Sequence, residues 1–358
     1  MYANNETMRG NTEKGFSLIE LLFAMTIFLI VTAAIFGVLQ MAQKNRNTLN
    51  QLIPINKSIQ ISLNLLGRDT YNTGFGYPKI SGSVPRPTDG RVENLLGLPS
   101  SLGTNGIVPI IDGNALHNNL VNPDPSVKTD QVTMIYGDAK FNTCVDGRLP
   151  LAAKCSDPDE ASKPIISIPI SGHATRSGST VTVVFPEAVS HKFRRNDLIM
   201  LSGDIANRMA VVTAITGPDR IQITNGDPLN MNLATHLAIL HDVDVSVHRV
   251  FMQTYFVTPE GNLTRRSYGN DETLTSVGYK DNEIAYNVSD FQVEYILSDQ
   301  TKVEHLRNAF NVPGARAADV RQIKFTINVI GSDSGQAGTA TTTMSANYST
   351  RNLGFEEL

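Results

Sequence analysis

Gly15-Phe16-Ser17-Leu18-Ile19-Glu20-Leu21-Leu22 opens a segment in which the next formal charge after Glu20 is Lys44. Leu21 to Gln43 carries no charge, and at ~1.5 Å rise per residue a helix over that stretch covers the ~30 Å hydrocarbon core of a bilayer. The segment is therefore expected to reside in a membrane. Glu20 at its edge is costly to bury, and a carboxylate in such a setting calls for a cationic partner.

The same stretch resembles the processing and methylation signature of type IV prepilins and of the related pseudopilins of type II secretion. A small residue precedes the cut, Phe follows it, Glu is the fifth residue of the product, and the apolar helix starts at once. In that family a membrane-embedded prepilin peptidase cuts after the Gly and methylates the new amino group. The resemblance implies cleavage between Gly15 and Phe16, methylation of Phe16, and a leader at 1–15 that is removed. That leader is polar, with Glu6, Arg9, Glu13 and Lys14, and lacks the apolar core of an ordinary signal peptide. The anchor itself must then act as the targeting element. An α-amino group exposed at Phe16 would be a cation suited to Glu20, and in the family the amine of one subunit meets the Glu of its neighbour. Phe16 and Glu20 are thus the expected pairing residues in assembly, and Gly15 and Phe16 the processing residues.

The helical pattern continues past the apolar run. Leu49, Leu52, Ile55, Ile59, Leu63 and Leu66 recur at three- and four-residue spacing, with Asn50, Gln51, Asn56, Lys57, Gln60 and Asn64 between them. One helix is expected over 16–75: 16–43 is apolar all round, for lipid or a filament core, and 44–71 lays one stripe on a folded domain. Pro54 predicts a kink or local opening, and Asn72-Thr73-Gly74-Phe75-Gly76-Tyr77-Pro78 a helix stop.

Composition narrows the function classes. Among 358 residues, 30 are basic and 34 acidic, giving a formal net charge of -4. The adjacent pairs Arg194-Arg195 and Arg265-Arg266 are too short for a nucleic-acid surface. No nucleophile elbow, phosphate-binding Gly loop or paired His on a helix is present. His236 and His241 fall on opposite faces of an extended stretch, and His248 follows in a strand. Asp112, Asp138, Asp271, Asp281, Asp299 and Asp333 lack EF-hand spacing and read as turn acids. No enzymatic site, metal or cofactor is expected. Cys144 and Cys155 lie in a loop-like stretch with ten residues between them. In an oxidising compartment a disulfide closing this loop is the economical reading, worth about 2 to 3 kcal/mol in the chain-entropy model. Two free thiols, or a metal site short of ligands, are the alternatives.

Residues 76–164 are rich in Gly, Pro, Asn and Asp, with Gln131 to Tyr136 the one clear strand. This region reads as irregular and variable. Residues 165–240 read as a small antiparallel β-module, with strands at Thr180–Phe185, Asp197–Leu201, Met209–Ile215 and Arg220–Thr224. Residues 241–358 read as a C-terminal sheet, in which Phe291, Val293, Tyr295 and Leu297, and Ile323, Phe325, Ile327 and Val329, alternate with mostly polar neighbours. The predicted fold is α+β: a long N-terminal helix packed by its Leu52-Ile59-Leu63-Leu66 stripe on an antiparallel sheet, with the β-module inserted.

Asn287-Val288-Ser289-Asp290-Phe291-Gln292-Val293-Glu294-Tyr295, followed by Val320-Arg321-Gln322-Ile323-Lys324-Phe325 and a closing strand, resembles the PilW group of minor pilins and the J-type minor pseudopilin. The resemblance implies an assembly protein that primes pilus polymerisation at or near the tip. Its partners would be the major pilin and other minor pilins, through their N-terminal helices, together with the prepilin peptidase and a large tip adhesin. It would sit in the bacterial inner membrane with its head in the periplasm, then in the extracellular pilus. The alternatives are a minor pseudopilin of type II secretion and a tip adhesin that binds a surface ligand through the β-module or the Cys loop.

Overall fold

The computed structural model describes residues 17–77, 84–85, 95–98, 106–122, 124–146, 169–204, 207–235, 237–275, 277–306, 317–331, 341–351 and 353. The chain divides into two units, Met1–Pro54 and Ile55–Leu358.

Helix α1 (Leu18–Asn72) begins in the first unit and ends in the second. Within it, Leu18–Arg46 is long and apolar enough to cross a membrane, and the large hydrophobic side chains of this stretch are exposed. An all-round apolar surface that is exposed among the described residues is what lipid or other apolar helices would solvate. Pro54 lies inside α1, which continues as helix on both sides of it.

The second unit is α+β. Its strands are β1 (Val84–Pro85), β2 (Gly106–Ile107), β3 (Ile110–Asn118), β4 (Lys128–Gly137), β5 (Ile170–Ser177), β6 (Thr180–Val184), β7 (Leu198–Ser202), β8 (Asn207–Val211) and β9 (Ala214–Gly217). They continue with β10 (Arg220–Thr224), β11 (Val243–Val257), β12 (Leu263–Tyr268), β13 (Tyr279–Ala285), β14 (Val288–Leu297), β15 (Lys302–Val303), β16 (Val320–Ile330) and β17 (Thr341–Ser349). Four of them form an antiparallel sheet in the order β15-β14-β16-β17. Eleven others form a sheet whose spine is β11. Its first half pairs with β5 and β7, and its second half with β4 and β12.

Two departures from the expected strands have local causes. The region 76–164 contains the hairpin β3–β4. Its first strand is hidden by Asp112-Gly113-Asn114 and by a bulge, where the register shifts between Gly113 and His117 and Ala115 takes a positive φ of 51°. Met209–Ile215 splits into β8 and β9, because β8 pairs with β7 whereas β9 turns to pair with β10. The strands β5 and β13 were not anticipated. Ser, Gly and His in the one, and Asp, Asn and Glu in the other, dilute the β signal.

The amphipathic stripe seats as predicted from Ile55 onward, whereas Leu49, expected to belong to it, is exposed. Ile59, Leu63 and Leu66 are buried in one cluster with Phe291, Tyr295 and Phe325 of the four-stranded sheet. The Leu52 side chain lies outside the described residues. A Cβ added at Gly67 would stand 2.3 Å from the Tyr348 ring, so the helix backbone rests directly on β17 at that point.

One feature of this seat is electrostatic. Asp69, at 0% exposure, accepts hydrogen bonds from Tyr136 of β4 (2.9 Å) and Tyr255 of β11 (2.7 Å), and from Arg265 of β12 through Nε (3.0 Å) and a terminal nitrogen (2.9 Å). Burial, reinforced by this carboxylate, pushes both phenols up in pKa, so they stay protonated and donate. A single helix carboxylate thus gathers three adjacent strands of the larger sheet.

Asp69→Ala should destabilise the head by about 3 to 5 kcal/mol, because Arg265 and two phenols would be left buried without their acceptor. The shift of the urea midpoint followed by tyrosine near-UV circular dichroism reports it, and a change below ~1 kcal/mol would contradict the clamp. Gly67→Val should also destabilise, by about 1 to 3 kcal/mol, as the Tyr348 ring is displaced.

Candidate functional site

Of the residues singled out from the sequence, Gly15, Phe16, Cys155, His236 and Asp333 lie outside the described residues. Glu20 and Cys144 are described, and they occupy different units.

Ser17 stands immediately before the first turn of α1, and its carbonyl accepts the backbone N–H groups of Glu20 (3.0 Å) and Leu21 (3.2 Å). The Glu20 carboxylate folds back to accept the Ser17 N–H at 3.1 Å. This is half of a capping box, a use of the Ser-x-x-Glu spacing that the reading of Glu20 as a pairing group had passed over. An acid in the first turn also complements the positive end of the helix dipole.

Cys144 follows β4, in a turn held to β11 by a buried ion cluster. Arg249, at 1% exposure, donates to Asp138 at 2.6 Å and to Asp146 at 2.7 Å, while its guanidinium lies 5.2 Å from the Phe141 ring centroid. The arginine is encased and doubly paired, so the turn that carries Cys144 is fixed on the spine strand. Asp138 reads from the sequence as an ordinary turn acid, and only the tertiary contact, more than a hundred residues distant, gives it and Asp146 a role.

A second concave site lies on the sheet face around β5, β11 and β7. Val243-Asp244-Val245-Ser246-Val247-His248 alternates strictly, so Asp244, Ser246 and His248 share one face. Pairing extends this face sideways: Ser246 stands opposite Ser171 on β5 and opposite Ser202 on β7, and Asp244 stands opposite His173, which stands opposite Val184 on β6. The result is a row of three serines flanked by a second row of Asp, His and Val. Their short side chains form the floor of a groove of about 900 Å³, rimmed by Gly76, Pro169, Pro186 and Asp204.

The two histidines of this groove differ in every respect. His173 is exposed, and its ring bridges Asp244 at 2.8 Å and Asp242 at 3.0 Å, which raises its pKa. His248 is only 5% exposed, between the rings of Phe75 and Phe141, and neither ring nitrogen has a hydrogen-bond partner among the described residues. Burial lowers its pKa to about 4, with Asp138 opposing that shift and Arg249 adding to it. It is therefore a neutral imidazole at physiological pH. Gly76 and Gly137 make room for it, since a Cβ on either would come within 2.9 Å or 2.3 Å of Nε2. Leaving such a group unsatisfied costs about 1 to 3 kcal/mol. From the sequence His248 is recognisable only as a member of a strand.

The prokaryotic N-terminal methylation motif matches residues 10–36. No curated protein and no solved structure matches the chain. The matched segment contains the Gly15-Phe16 junction, the Ser17–Glu20 cap and the first turns of the exposed apolar helix, so the N-terminal segment of this chain is similar to that of type IV pilins and pseudopilins.

Proposed function

We propose that the protein is a minor pilin of a type IV pilus, acting by assembly rather than catalysis. The observation that carries this reading is the coincidence of the methylation motif with the start of a helix that is apolar and exposed from Leu18 to Arg46. Prepilin peptidase cuts between Gly15 and Phe16 and methylates Phe16, while 16–43 holds the chain in the bacterial inner membrane with the head in the periplasm. Extraction into the filament exchanges lipid for the helices of neighbouring pilins, an exchange that an all-round apolar surface allows at little cost. At or near the tip the subunit primes polymerisation, with the amine of Phe16 on one copy meeting Glu20 of the adjoining one. Placement in the PilW group is supported by the alternating strands β14 and β16 that receive the helix stripe.

The disulfide between Cys144 and Cys155 belongs to the same proposal. A periplasmic head is in an oxidising compartment, and the Arg249 cluster already anchors the turn from which Cys144 projects. A ligand-binding role for the head is compatible with this reading, since helix and head use different parts of the chain.

Intact-mass analysis of protein extracted from membranes should show a chain beginning at Phe16 with one added methyl group. A chain retaining Gly15 in a host with active prepilin peptidase would overturn the processing step. Replacing Glu20 by Val should leave membrane insertion unchanged and reduce incorporation into sheared pili severalfold. Wild-type incorporation of that variant would remove the pairing role of Glu20 while leaving the processing step standing.

A further inference from the structure

We propose that the outer edge of β17 is an acceptor for an extended segment of another polypeptide, which joins the four-stranded sheet as a fifth strand. The geometry belongs to the head alone, and only the choice of occupant rests on the proposed pilin reading.

The sheet runs β15-β14-β16-β17, so β17 is paired on one side and, among the described residues, open on the other. Which backbone groups face outward follows from the ladder. Thr350 donates its N–H to the Arg321 carbonyl at 2.9 Å, and the pairing from Gln322 with Ser349 to Ile330 with Thr341 continues without a register shift. Bonded positions alternate in an antiparallel ladder, so Met344, Ala346 and Tyr348 turn their N–H and C=O groups to β16. Thr343, Ser345 and Asn347 turn theirs to the open side. Exposed sheet margins are commonly blunted by charge, shortness or a bulge. Here β13 carries Lys280, Asp281 and Glu283, β15 has 2 residues, and β3 has its bulge. The 9 residues Thr341-Thr342-Thr343-Met344-Ser345-Ala346-Asn347-Tyr348-Ser349 hold no charge, no Pro and no Gly.

The edge also specifies what can lie on it. A row of alternating N–H and C=O groups is matched in full only by another extended backbone about 4.8 Å away. On the helix side, Met344, Ala346 and Tyr348 pack on the buried cluster yet are only partly covered. The added strand therefore carries apolar side chains at alternate positions, which complete that row. On the other face, the exposed Thr343, Ser345 and Asn347 call for polar, uncharged neighbours. A second copy is the wrong occupant. Its own β17 would join antiparallel, about a two-fold axis normal to the sheet. Gly67 of the helix lies against Tyr348, and Arg351 donates to Tyr71 at 2.6 Å, so helix and strand run the same way here. That axis would turn the second copy's segment 55–72 end for end, whereas chains entering one filament from one membrane share an orientation.

The test places the photo-crosslinking residue p-benzoylphenylalanine at position 343, 345 or 347 of the full chain, expressed in its own host, and maps the products by mass spectrometry. The three positions should label one segment of one other polypeptide, advancing along it by about two residues per step. Ser345→Pro removes an outward N–H and leaves the ladder to β16 intact. It should cut labelling from positions 343 and 347 by about tenfold or more while keeping the wild-type circular dichroism spectrum. Thr343→Pro, read from 345 and 347, takes its place if that variant does not fold. The proposal is overturned if labelling is absent, scatters over several segments, falls on β17 or any other part of this chain, or survives proline in a folded variant. The intact mass of the same extracted chain reports processing at Phe16, which keeps a failure of this edge distinct from a failure of the pilin reading.

Discussion

The clamp on Asp69 is the contact around which the head is organised. Burying Ile59, Leu63 and Leu66 contributes several kcal/mol of apolar stabilisation, at about 1.5 to 3 kcal/mol for each fully buried side chain. Apolar contact alone, however, tolerates a helix that slides or rotates by one position. A buried carboxylate bound by Tyr136, Tyr255 and Arg265 does not, because a shift of one residue would carry it away from all of its donors on the sheet. Buried ion clusters add little net stability but are costly to break, so the stripe supplies the attraction and Asp69 supplies the register. The approach of Gly67 to Tyr348 on the opposite side of the seat narrows the choice further.

Strand β11 plays the corresponding part among the sheets. Its first half lies between β5 and β7, its second half between β4 and β12, and its side chains enter all three buried clusters of the head. Residues 165–240 therefore do not hang from the fold as a separable insert. Removing them would strip both partners from Val243 to Arg249 and expose Val245 and Val247, which are buried in the cluster shared with β5, β6 and β7. The fixed turn at Arg249 and the groove at His248 meet on this strand, where the Phe141 ring touches both side chains.

What could be read in advance follows from the range of the interactions concerned. The helix and its stripe, and the alternation in β14 and β16, are local patterns, and Leu63, Phe291 and Phe325 lie where periodicity places them. The strands β3, β5 and β13 carry Gly, Asn, Asp or Ser at positions where strand propensity is weak, and they are held by pairing with partners that cannot be chosen from the segment itself. Asp69 and Arg249 escaped notice for a stronger reason. An acid on an amphipathic helix and an Arg in a strand have no local mark that separates a buried ion cluster from a solvated charge; the strand partners of Asp69 are 67 to 196 residues away and the acids that meet Arg249 are 103 and 111 away. The groove falls between these cases. The alternation of Asp244, Ser246 and His248 was visible, but the serines opposite Ser246 become neighbours only through strand pairing.

The same distinction bears on Glu20, whose local role and proposed role in assembly draw on different parts of one carboxylate. Oε2 accepts the Ser17 N–H, which holds the side chain against the first turn of α1. A carboxylate held in this way has lost rotamer freedom before any partner arrives, so meeting an ammonium costs less ordering than it would for a freely rotating side chain. Its other oxygen and the remaining lone pair of Oε2 stay open to that cation. When neighbouring helices replace water or headgroups around it, the charge must be compensated or it opposes assembly. In the proposed filament the cap therefore prepares the acid for a contact that the isolated chain does not provide, and the same residue that begins the helix limits where the next subunit can sit.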